Sequence, residues 1–196
     1  APALVRYWIV AAALIGIVSL PAFGWWSDDW GFRKPISINT GPTGANLSQT
    51  VDDGVVLVRL HLGNFSYFTD TLPNGDDIRF VAADDLTPLP FHIETFDATN
   101  QIALLWVKVG AIQPQSNSQN FFMYYGNGRA PAGGNAAQTY DKSQALVLHF
   151  ENPDGPARDM TAYANQPSEY SATFDPASLI GGGVRFDGTI RLCFRS

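Results

Sequence analysis

Residues Asn74–Asn127 read NGDDIRFVAADDLTPLPFHIETFDATNQIALLWVKVGAIQPQSNSQNFFMYYGN. Four short apolar runs stand in this stretch, each closed by turn residues. With period two, Ile78 and Phe80 fall on one face and Arg79 on the other; Phe91 and Ile93 oppose His92 and Glu94. Ala103, Leu105, Val107 and Val109 oppose Leu104, Trp106 and Lys108, and Phe121, Met123 and Tyr125 oppose Phe122 and Tyr124. Alternation of this kind, broken by Gly, Pro, Asn and Asp, predicts antiparallel strands in an all-β sandwich or barrel. No stretch within it has the period of an amphipathic helix.

Working outward, the chain of 196 residues has room for one domain and part of another. Its hydrophobic share of 45% is ample for a packed core. The net charge of −6 argues against nucleic acid, which requires a basic surface, and against an electrostatic membrane patch. Cys193 is the sole cysteine, so an intrachain disulfide is excluded and a cysteine-based metal site disfavoured.

Residues 1–24 have the plan of a secretory signal peptide: Arg6, an apolar run from Trp8 to Leu20, Pro21, then small residues in Ala22-Phe23-Gly24. The run falls short of the about 20 residues that span a bilayer. A hydrophobic signal helix followed by export to the periplasm or cell surface is the expectation, with an uncleaved anchor or a buried helix as the alternatives.

Trp25, Trp26 and Trp30 crowd the start of the mature chain. They either offer a sugar-stacking platform or seal one end of the sandwich. A first strand is predicted over Phe32–Asn39 and a second over Val55–Leu62, with Val56, Val58, Leu60 and Leu62 sharing a face. Asp52-Asp53-Gly54 and Asn74-Gly75-Asp76-Asp77 read as turns. Their carboxylates are also weak candidates for Ca²⁺, although neither matches a defined calcium loop.

Five motifs carry a family resemblance: WWxDDWxFRK at Trp25–Lys34, NGDDIRF at Asn74–Phe80, LPFHIE at Leu89–Glu94, LWVKV at Leu105–Val109 and YYGN at Tyr124–Asn127. In this order they resemble the bacterial domain of unknown function 2341 (DUF2341). The resemblance implies a β-sandwich module of exported proteins, with no catalytic residues assigned. Further on, VLHFE at Val147–Glu151, ARDMTAYAN at Ala157–Asn165 and GGGVRFDG at Gly181–Gly188 resemble the opening of a concanavalin A-like, laminin-G-type jelly roll. The pairing is similar to the exported front end of certain MotA/TolQ/ExbB-type proton-channel proteins, whose membrane helices lie further downstream. Membrane attachment would run through such helices or through an uncleaved signal.

The domain reading is therefore a signal peptide at 1–24, a sandwich at 25–129, an APAGGNAAQ-containing linker at 130–140 and an incomplete jelly roll at 141–196. Too few residues follow Ala145 to close the two sheets of a jelly roll, so this part is expected to be a truncated fragment, sensitive to proteases after about Tyr140.

The chemical candidates are few. His92/Glu94 and His149/Glu151 form two H-x-E pairs, and on a strand the members of each pair share a face, as zinc ligands or an acid and base would. The alternative is that they are polar residues on solvent faces, and the two pairs are expected to lie in different domains. No nucleophile elbow, H-E-x-x-H or phosphate loop is present. Glu94, Glu151, Asp159 and Glu169 leave a paired-carboxylate glycosidase open. The leading expectation is a non-enzymatic envelope module for binding or scaffolding, with no catalytic residues, metal site or resident cofactor. If it holds a glycan, exposed members of Trp25, Trp26, Trp30, Trp106, Tyr124 and Tyr125 would stack on it. The alternatives are a fragment of a secreted glycoside hydrolase and an adhesive unit that binds a partner protein.

Overall fold

The computed structural model describes residues 25–140, 142–176, 178, 180–189 and 191–194; the signal segment read from the sequence lies outside them. The strands in chain order are β1 (Phe32–Ile38), β2 (Val51–His61), β3 (Arg79–Ala82), β4 (Pro88–Leu89), β5 (Phe91–Asp97), β6 (Ile102–Ile112) and β7 (Gln119–Tyr125). A helical turn α1 (Ala136–Thr139) precedes the short strands β8 (Pro167–Tyr170), β9 (Thr173–Asp175), β10 (Gly183–Arg185) and β11 (Leu192–Phe194).

Two antiparallel sheets face each other, with strand orders β1-β7-β3-β4 and β2-β6-β5. Pro90 alone separates β4 in one sheet from β5 in the other, so the chain crosses between layers at a residue that has no N–H to leave unpaired. The inward residues are those of the period-two pattern: Phe80, Phe91, Ala103, Leu105, Val107, Phe121, Met123 and Tyr125 form one core with Val58, Leu60, Phe65 and Phe68. Burying each large side chain contributes about 1.5–3 kcal/mol, which is what fixes the register. The pairs β8/β11 and β9/β10 form separate two-stranded ribbons.

Two local expectations are corrected. Asp52-Asp53-Gly54 is part of β2 and forms a bulge opposite Gly110, with Asp53 at φ 51° and register shifts on both sides of Gly54. The chemistry that suits Asp and Gly to a turn suits them equally to a bulge. Leu62 does not join the inward face of β2; it is 61% exposed. The Asn64 side chain accepts from the His61 N–H and donates to the Arg59 carbonyl, and so ends the strand one residue earlier.

A second apolar cluster covers the outer face of the four-stranded sheet. Trp30, Val81 and Tyr124 are buried there, with Trp26, Phe122 and Ala130 against them. The Trp30 indole N–H donates to the Asp77 carbonyl at 2.6 Å, and the Trp26 backbone N–H donates to the Tyr124 hydroxyl at 3.0 Å. Tyr124 in turn donates to Asp85 at 2.5 Å, and Arg33 pairs with the other oxygen of that carboxylate.

Candidate functional site

The outer face of β5 and β6 is where chemistry-bearing side chains collect. Alternation in β5 sends Phe91 into the core and His92 outward, opposite Trp106 of β6. The register of β5 against β6 shifts between Ile93 and Thr95, so Glu94 is the extra residue of a bulge, a device that re-aims a side chain. Glu94 points across to Trp106, whose indole N–H donates to Oε2 at 2.6 Å.

Residues 130–165 lie along this face. The Arg79 guanidinium donates to the Pro131 carbonyl at 2.5 Å, and the Asn135 N–H donates to the Phe91 carbonyl at 2.7 Å. The Asn135 side chain then caps α1 by accepting from the Gln138 N–H, and α1 delivers Tyr140 onto β5. Further on, the buried Asp159 carboxylate accepts from the N–H groups of Val147, Thr161 and Asn165 and from the Thr161 hydroxyl. That knot folds 147–165 back on itself and delivers His149. Residues 130–140, read as a linker, thus contain two buried residues, Thr139 and Tyr140.

Here the two H-x-E pairs, expected in separate domains, meet. His149 Nδ1 lies 3.1 Å from Glu94 Oε2, and His149 Nε2 lies 2.6 Å from the Tyr140 hydroxyl. The same hydroxyl is 3.2 Å from His92 Nδ1. The His149 ring packs 5.3 Å from that of Trp106 and 5.2 Å from that of His92. With both imidazoles neutral, one assignment of protons satisfies every contact. His92 Nδ1–H donates to Tyr140, Tyr140 donates to His149 Nε2, and His149 Nδ1–H donates to the Glu94 carboxylate, which also receives Trp106.

Burial, reinforced by the neighbouring His149 and Arg158, pushes His92 down to about 4, so its ring is neutral at pH 7. Burial also pushes the Tyr140 hydroxyl up, with Glu94 and Glu151 adding to it. For Glu94, burial acts to raise the pKa, but the hydrogen bonds from His149 and Trp106 outweigh it and the net shift is downward. Glu151 is raised, chiefly by burial.

The other sequence candidates fall elsewhere. Trp30, Tyr124 and Tyr125 are buried, each packed into one of the two apolar clusters, and so are not among the exposed aromatics expected to stack on a glycan. Trp106 is half-buried against His149, and Trp25, at 40% exposed, lies beside the Arg33 guanidinium. Among the described residues no group of three or more His, Cys, Asp or Glu is arranged to hold a metal ion. The two imidazoles spend Nδ1 of His92 and Nε2 of His149 on Tyr140. In the NGDD turn, the Asp77 carboxylate accepts from the Leu72, Gly126 and Asn127 N–H groups, and Asp53 pairs with Lys108 at 3.0 Å. No helix among the described residues is long and apolar enough to cross a membrane.

Sequence reasoning missed Tyr140. It stands in a segment of linker composition, and only the spacing that brings it under His149 gives it a role.

No curated protein and no solved structure matches this chain. Residues 74–165, from the turn that precedes β3 through the last residue of the Asp159 knot, match the family described as Domain of unknown function (DUF2341).

Proposed function

We propose that this chain is a non-enzymatic binding and scaffolding module of an exported bacterial envelope protein. In this reading the sandwich holds the segment that follows it, through Asn165, in a fixed orientation. The observation that carries it is the chain His92–Tyr140–His149–Glu94–Trp106, which links side chains of the sheet to those of the docked segment. Breaking any one of these buried contacts leaves a polar group without its partner, so the chain favours a single arrangement. The signal-like residues 1–24 support export. Placement as the periplasmic part of a MotA/TolQ/ExbB-type proton-channel protein, with a laminin-G-type domain after the sandwich, is the finer form of the proposal and rests on motif order.

Limited proteolysis of the full chain tests the scaffold. Protection is expected through Asn165, with first cuts beyond it, and Tyr140→Phe should open cuts between Pro131 and Lys142. Rapid cleavage of the unsubstituted chain at 131–142 would overturn the fixed-orientation reading.

One observation favours a second reading, a glycoside hydrolase. Glu94 and Glu151 line a common cleft and titrate in opposite directions, the division of labour between a base or nucleophile and an acid. Release of reducing sugar from a polysaccharide, abolished in both Glu94→Gln and Glu151→Gln, would establish it in place of the first.

A further inference from the structure

We propose that the cleft between β5 and the docked segment, walled by His92 and Glu151, binds a short neutral saccharide. The inference rests on the binding-module reading and gives it a location and a ligand class. The cleft has a volume of about 490 Å³, within the range of small-molecule sites. It is not the aromatic surface that the tryptophans suggest from sequence.

His92 is the centre of the argument. The residue is 9% exposed, and its Nδ1 is committed to Tyr140. Among the described residues Nε2 makes no hydrogen bond, and because no fully buried side-chain nitrogen there lacks a partner, Nε2 is open to the cleft that His92 lines. The neutral ring offers Nε2 as an acceptor when Nδ1 carries the proton and as a donor otherwise, and a hydroxyl suits both. The Tyr140–His149–Glu94 chain behind it holds the ring in place.

The remaining walls suit a ligand whose groups both donate and accept. Asp76 and Glu151 supply carboxyls and Arg158 supplies guanidinium donors, so a strongly charged ligand of either sign meets a like charge. Hydroxyls can satisfy all three. Phe96 and Met160 add apolar surface for the C–H face of a sugar ring.

The test is a titration of the ¹⁵N-histidine-labelled full chain with cellobiose, maltose, lactose and diacetylchitobiose, read by NMR at the imidazole nitrogens. At least one of these should shift Nε2 of His92 and leave exposed His61 unmoved, and Glu151→Gln and Arg158→Ala should each weaken that binding about tenfold. If the His92 ring is unmoved by all four at millimolar concentration, or if both variants bind as the parent does, the saccharide site is overturned. Protection from protease through Asn165, measured on the same sample, separates the two proposals: its persistence leaves the scaffold standing when the saccharide site fails, and its loss removes the scaffold.

Discussion

The Tyr140 hydroxyl stands 2.6 Å from His149 Nε2 and 3.2 Å from His92 Nδ1, and so joins a residue of the sheet to one that arrives nine positions after the tyrosine itself. The phenol oxygen accepts from one ring, and its proton goes to the other. Tyr140→Phe therefore leaves two buried ring nitrogens without partners, at a cost of about 1–3 kcal/mol. Chemical denaturation should show that loss, and amide exchange should show where it falls: faster exchange in 136–165, with little change at Leu105 or Met123.

His92 makes the fold sensitive to mild acid. Its pKa falls from 6.5 to about 4 on folding, so between these values the unfolded chain binds the extra proton and stability rises with pH. The contribution is complete above pH 6.5 and is lost as pH falls toward 4. On lowering the pH from 7.5 to 5 it amounts to about 2 kcal/mol. Glu94, whose pKa is depressed in the folded state, adds a loss in the same direction at lower pH. Denaturation midpoints measured across this range should flatten in His92→Gln, and an unchanged slope in that variant would assign the acid sensitivity elsewhere.

The extent to which the sequence disclosed this differs by level. Strand β6 was legible because Ala103, Leu105 and Val107 are all fully buried on one side, and a period of two cannot hide so regular a face. The end of β2 was not, because Leu62 fits the alternation and only Asn64, reaching back to His61, removes it from the strand. The H-x-E pairs were visible one at a time, and nothing local says that Asp159 folds its segment so as to bring His149 over Glu94. Tyr124 shows the opposite failure. It lies on the outward face of β7, yet it is fully buried, because the tryptophans ahead of β1 cover that face.

That outer cluster has its own polar tie. Asp85, at φ 57° and 6% exposed, accepts from Tyr124 and pairs with Arg33, which also sits over the Phe122 ring at 4.6 Å. Asp85→Ala leaves the Tyr124 hydroxyl and the guanidinium without that acceptor and puts alanine in a left-handed conformation. A loss of about 2–4 kcal/mol is expected. Tyr124→Phe, which removes only the hydroxyl, should cost less, about 1 kcal/mol, and the ranking of the two is the measurement that matters.

The loop before β10 comes close to the sandwich at Gly181. Gly181 has φ +59°, and a Cβ built there would lie 1.8 Å from Glu94 Oε1. Gly181→Ala is therefore opposed twice, by its backbone conformation and by a buried carboxylate already held by Trp106 and His149. The carboxylate cannot retreat without giving up those donors, so the loop around Gly181 has to lift instead. Amide exchange in β9 and β10 should rise in Gly181→Ala while β1 to β7 keep their protection. If protection in β5 and β6 falls by the same factor, the ribbons and the sandwich form one cooperative unit and the contact at Glu94 belongs to the core of the fold.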